Sequence, residues 1–165
     1  MKLTNWKDTA ELIGIAAIVA SLIFVGFQLR QDFQIAQSQV WLERDALRAE
    51  IAALISDHPD VWVKGLKGTE LTESETAQFE TMFVLYLQKE STHFFQREAG
   101  LSPGDADIIV LRFANMIMTY PGLNAAWTRW NSIRTNPFSL EVDRFLNEME
   151  AGRIEHAPSQ MLVPL

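Results

Sequence analysis

The chain contains no cysteine in its 165 residues. That one absence removes disulfides, thiolate nucleophiles, iron–sulfur clusters and cysteine-bound zinc together. It leaves the compartment open, because a cysteine-free chain suits reducing and oxidising surroundings equally. Histidine is nearly as scarce, with three residues at His58, His93 and His156. Positive charge is also in deficit: 14 Lys and Arg stand against 21 Asp and Glu, a net of −7. From Gln31 onward there are 11 basic and 19 acidic side chains, a net of −8. Such a surface repels phosphate backbones and anionic lipid headgroups, which argues against nucleic acid as a partner. There is no internal repeat, no Ser-His-Asp spacing and no nucleophile elbow. Lys64-Gly65-Leu66-Lys67-Gly68 lacks the Ser or Thr and the preceding strand of a phosphate loop.

Against these absences stands one long apolar run. Leu12 to Leu29 passes eighteen residues without a charge, between Glu11 and Arg30. At a rise of about 1.5 Å per residue it covers roughly 27 Å, close to the hydrocarbon thickness of a bilayer. A cleaved secretory signal has a shorter apolar core followed by small residues. Here Phe27-Gln28-Leu29-Arg30 follow Gly26, bulky and charged, so the run reads as a retained transmembrane helix. Lys2 and Lys7 before it nearly balance Arg30, Arg44 and Arg48 after it, leaving the sidedness open. Ala10, Gly14, Ala17 and Ser21 recur at intervals of four, three and four, a small-residue stripe on which a second helix can approach closely.

The remainder reads as all-α. From Gln31 to Ser56 there is neither proline nor glycine, and Val40, Leu47, Ile51, Leu54 and Ile55 keep helical spacing, so the anchor is expected to run on as one long helix. Asp57-His58-Pro59-Asp60 stops it. Its His-Pro-Asp tripeptide is shared with J-domain cochaperones, but the helix before it lacks their basic character, and a terminating turn explains the residues. Val61 to Glu70, with Gly65 and Gly68, reads as a connector on which Trp62 and Leu66 dock. Thr72-Glu73-Ser74-Glu75 is a capping box opening a helix that carries Phe79, Met82, Phe83, Tyr86, Phe94 and Phe95 to Gly100. Ser102-Pro103 is expected to cap the next helix, to about Tyr120. Its run Ile108 to Met118 is interrupted by Arg112 and Asn115, so it reads as a core helix and not a second span. After Pro121-Gly122 comes a helix with Trp127, Trp130 and Ile133, then one capped by Ser139 with Val142, Phe145, Leu146 and Met149. The expected organisation is a tail and anchor over 1–30, a bundle of about four to five helices over 31–152, and a C-terminal tail over 153–165.

Glu90-Ser91-Thr92-His93 carries the Glu-x-x-His spacing of di-iron bundles. Those sites need two such motifs and two more carboxylates, and this chain has one. The alternative is a buried polar cluster of Glu90 and His93 neutralised by Arg112, Arg129 or Arg134. Trp127 and Trp130, three apart on a short helix, are expected in the core or as a docking patch.

The layout resembles a group of small bacterial membrane proteins: a short tail with Trp6, a span ending in a motif like Gln28-Leu29-Arg30-Gln31, and a helical domain. Leu71-Thr72-x-x-Glu75, Glu90 with Gly100, and Pro121-Gly122 leading to Trp127, Phe138-Ser139 and Phe145 are similar to that group's pattern. The resemblance implies a bacterial inner-membrane protein with a single span and carries no activity with it. The sequence therefore points to a non-catalytic protein with no cofactor or metal, acting as an accessory or scaffolding subunit or as a homo-oligomer. Its interaction residues would be Ala10, Gly14, Ala17, Ser21, Trp127 and Trp130. Two alternatives remain: a small-acid sensor with an aromatic pocket near Tyr86, Trp127 and Trp130, and a metal enzyme built on Glu90 and His93.

Overall fold

The computed structural model describes residues 4–131 and 135–155, and every described element is helical. Six helices follow one another: α1 (Thr4–Asp57), α2 (Pro59–Lys67), α3 (Glu73–Glu98), α4 (Ala106–Thr119), α5 (Pro121–Asn131) and α6 (Pro137–Glu150). The expected residues Ile133, Arg134 and His156 lie outside the described set. The chain divides into two compact units, residues 1–39 and 40–165.

In the first unit α1 passes through the apolar run without interruption. Every residue from Trp6 to Ile35 is exposed, including Leu12, Leu22, Phe24 and Phe27. Among the described residues this is the one helix long and apolar enough to cross a membrane, and no part of its apolar window is buried.

In the second unit the last turns of α1 contribute Ile51 and Ile55 to a core shared with α2 to α6. α4 lies at the centre, packed against α3, α5 and α6, while α2 packs on α3 and α5. Phe113 explains that position: its ring stacks on Tyr86 of α3 at 6.0 Å, meets Trp127 of α5 edge-on at 5.7 Å and tilts against Phe138 of α6 at 5.6 Å. Burying a ring of this kind contributes about 3 kcal/mol, and four elements share this one.

Helix ends follow local chemistry. The Thr72 hydroxyl accepts from the Glu75 N–H while the Glu75 carboxylate accepts from the Thr72 N–H, a complete capping box. Lys64 of α2 donates to the same Glu75 at 2.8 Å, tying two elements at one carboxylate. α3 closes before Gly100 at φ 70.

Three expectations are corrected. Residues 61–70 are not a connector: α2 occupies 59–67, with His58 at its N-cap and Pro59 in its first turn. Gly65 is helical because packing needs it bare. The Phe79 ring lies where its Cβ would be, and a Cβ on Gly122 would overlap the Gly65 carbonyl oxygen. Gly68, at φ 65, is the real stop. Ser102-Pro103 does not open α4, which is capped by Asp105 accepting from the Asp107 N–H. Ser139 does not cap α6; Asn136 does, its side chain accepting from the Ser139 N–H at 2.9 Å.

The paired glycines give a discriminating test. Gly122→Ala is expected to destabilise the protein by about 3 kcal/mol by forcing α5 off α2, whereas Gly26→Ala, with nothing within 4 Å of its Cβ, should not. Chemical denaturation of the two variants decides it, and equal midpoints would refute the close approach.

Candidate functional site

Among the described residues a group of ionisable side chains gathers where α3 meets α4 and the last turns of α1. On α3 residue 86 lies three before 89 and four before 90, and 93 lies four after 89 and three after 90, so Tyr86, Lys89, Glu90 and His93 occupy one side of that helix. Glu90 is completely buried. Its Oε2 accepts from Arg112 Nη2 of α4 at 2.8 Å. Its Oε1 lies 3.0 Å from Lys89 Nζ, an ion pair whose angle makes no hydrogen bond. The Lys89 ammonium also sits over the Tyr86 ring at 4.3 Å. Burial raises the proton affinity of the Glu90 carboxyl, but Lys89 and Arg112 together outweigh it and hold the group below the usual carboxylate range. Arg112 is shifted the other way, up: burial acts against its charge and Glu90 overcomes this. The partners agree, and Glu90 is ionised.

His93 is 8% exposed and one turn beyond Glu90. Arg44 Nη1, from the last turns of α1, stands 3.0 Å from its Nε2. A guanidinium can only donate, so Nε2 accepts and the imidazole is neutral with its proton on Nδ1. Burial first, then the cations Arg97 and Arg44, drive its pKa down to about 4, against a smaller upward pull from Glu90. The Glu-x-x-His pair thus faces cations. Among the described residues no group of three or more metal-ligating side chains forms, and the Nε2 lone pair is already engaged.

The remaining sequence candidates are placed as follows. Trp127 is buried against Phe113, with Nε1 donating to Asp143 Oδ1 of α6 at 3.0 Å, while Trp130 is half-buried. Arg129 pairs with Glu80 at 3.0 Å, and so serves α3 at a different point from Glu90. Tyr86 donates to the Met116 sulfur at 3.1 Å, its hydroxyl pushed up by burial. The space between Tyr86 and Trp127 is filled by Phe113. Ala10, Gly14, Ala17 and Ser21 are all exposed on α1. Sequence reasoning missed Lys89 and Arg44. Arg44 shares the bundle-facing side of α1 with Val40, Leu47 and Ile51, and that register was the available signal.

Comparison of the chain with protein-family models, with curated proteins and with solved structures finds no match.

The burial asymmetry in the ion pair sets an order of effects. The Arg112 side chain keeps 45% of its exposure while Glu90 keeps none. Removing the cation therefore strands a buried charge, and removing the anion frees a cation that can reach water. Arg112→Met is expected to cost about 3–5 kcal/mol at neutral pH, and Glu90→Gln about 1–3 kcal/mol. Denaturation midpoints in the reverse order would refute the arrangement.

His93 adds a pH dependence. Its folded pKa of about 4 lies below the ordinary 6.5, so the unfolded chain binds the extra proton first. Stability is full above pH 6.5 and falls as pH drops towards 4, by up to about 3 kcal/mol from this residue. His93→Gln should flatten that part of a stability-versus-pH curve. An unchanged slope would show that His93 is not held neutral.

Proposed function

We propose that this chain is a single-pass membrane protein, anchored by the apolar part of α1. Its helical domain then works by contact, as an accessory or scaffolding subunit of a membrane assembly or as a homo-oligomer. One observation carries the reading: the apolar run of α1 is exposed along its whole length, an arrangement suited to lipid and unsuited to water. A core helix of a soluble domain would be covered, and this one is not. A cleaved signal would end soon after its apolar core, and α1 continues unbroken to Asp57. The resemblance to small bacterial single-span proteins favours the inner membrane.

A contact role is favoured over catalysis by how the candidate groups are spent. Glu90 neutralises Arg112 and Lys89, and His93 gives its lone pair to Arg44. The aromatic space for a small-acid sensor is taken by Phe113. Partners are therefore sought at the surface: the stripe Ala10, Gly14, Ala17 and Ser21 for another span, itself or a second subunit, and half-buried Trp130 for a soluble face.

Fractionation tests the anchor. Full-length protein should stay with membranes after alkaline washing and need detergent for release, while deletion of residues 1–30 should make it soluble. Full-length protein in the soluble fraction refutes the reading. For the stripe, Gly14→Leu or Ala17→Leu should weaken self-association or co-purification of partner subunits, and Ala16→Leu, on another face, should not. Equal losses at all three positions would rule the stripe out as an interface.

A further inference from the structure

Arg44 is half-buried, and both groups that hold it are neutral. One edge of its guanidinium donates to His93 Nε2, and its plane lies over the Trp41 ring at 4.0 Å. Among the described residues no carboxylate pairs with it. Within the second unit Arg44 opens onto a cleft of about 220 Å³ between α1 and α3, lined also by Lys89, Thr92 and Gln96, with Glu43 at one side.

On the same wall Lys89 is ion-paired with Glu90 at 3.0 Å, at an angle that makes no hydrogen bond and leaves its N–H groups open. The Gln96 amide oxygen is buried without a partner. Thr76, Thr81, Thr119 and Thr128 each return the hydroxyl to the carbonyl four residues back, and among the described residues Thr92 makes no such bond. The charged side chains lining the cleft are Arg44 and Lys89 against Glu43, and since Lys89 already faces Glu90 at 3.0 Å, Arg44 is the lining cation without a carboxylate partner among the described residues. A planar fork, an ammonium and a hydroxyl lining one cleft are a donor set suited to a tetrahedral oxyanion.

We propose that this cleft binds a phosphate group, free or carried on a lipid headgroup. The phosphate oxygens take the open N–H groups of Arg44 and the ammonium of Lys89, with the Thr92 hydroxyl as third donor. Glu43 opposes binding and limits its strength. The site belongs to the helical domain and stands without the anchoring reading; only the lipid source depends on it.

The test uses the full-length chain in neutral detergent, with the His93 ring protons followed by NMR. Sodium phosphate is raised at constant ionic strength against sodium chloride, and separate micelles carry phosphatidylglycerol or, as the phosphate-free control, diacylglycerol. The expected result is a saturable shift of the His93 signal with inorganic phosphate, with phosphatidylglycerol, or with both, and none with chloride or diacylglycerol. Bound phosphate offsets Arg44, so the His93 titration should also move up from about 4. Arg44→Gln should weaken binding about ten-fold or more, as loss of a charge-assisted contact predicts. Lys89→Gln weakens it independently, which keeps the test decisive if Arg44→Gln does not fold, and Glu43→Gln tightens it. Arg144→Gln, in an exposed pair on α6, leaves it unchanged. A response to inorganic phosphate places recognition in the phosphate itself. A response to phosphatidylglycerol alone assigns the headgroup. No saturable response to either probe, the same response to chloride, or unaltered affinity in both the Arg44 and Lys89 variants overturns the proposal.

Discussion

A carboxylate with no access to water cannot remain ionised unless cations come to it, because the desolvation of one buried ion costs several kcal/mol even after relaxation. Glu90 is in that position, and the arrangement around it follows from this need. Lys89, its neighbour in sequence, reaches one oxygen from the side and makes no hydrogen bond. The other oxygen needs a partner from elsewhere, and Arg112 supplies it from α4. That contact sets where α4 stands along α3. Burial first, then the Arg97 and Arg44 cations, make a protonated His93 unfavourable against the upward pull of Glu90, and a neutral His93 has a lone pair to offer. Arg44 takes it, which fastens the last turns of α1 to α3. Two charge-assisted contacts thus dock neighbours on α3: Arg112 of α4 on Glu90, and Arg44 of α1 on His93.

A second constraint is steric and acts about three turns nearer the N-terminus of α3, at Phe79. α2 and α5 approach until backbone meets backbone at Gly65 and Gly122, with the Phe79 ring filling the place of a side chain. Gly65 thus costs α2 some helix propensity, and the contact returns it through burial of Trp62 and Leu66. The same short helix ends with a left-handed Gly68 and sends Lys64 to the capping carboxylate Glu75. A nine-residue helix has little stability alone, and here burial of Val61, Trp62, Gly65 and Leu66 and the Lys64–Glu75 pair hold it.

Much of this was legible in the sequence where a rule acts locally. The capping box at Thr72, the stop at Gly100 and the core positions of α3 depend on residues within a turn or two of each other, and the pattern displayed them. Gly65 was misread because a glycine fitted to a neighbouring ring is written the same way as a glycine that breaks a helix. Ser102 and Ser139 carry the right side chain for a cap, but Asp105 and Asn136 stood close by and took the role. Arg112 could be named among the partners of Glu90 because three candidate arginines were few enough to enumerate. For Arg44 the register of α1 shows that it faces the bundle, but its partner His93 is 49 positions away and no local pattern names that residue.

The distribution of spent and unspent groups then narrows where activity can reside. Glu90, Arg112, His93, Tyr86 and Trp127 each have a partner that the fold itself requires, so recruiting any of them for chemistry would loosen the packing that positions it. Arg44 differs, since its two partners, an imidazole and an indole, fix its direction without neutralising its charge. An arginine held in place by neutral groups is pre-organised towards an anion, and ordering that side chain has already been accomplished in the free protein. Binding through Arg44 at this cleft therefore leaves the core contacts in place, provided Lys89 keeps Glu90 while it faces the anion, whereas a catalytic role at Glu90 and His93 would have to dismantle the contacts that hold α1, α3 and α4 together.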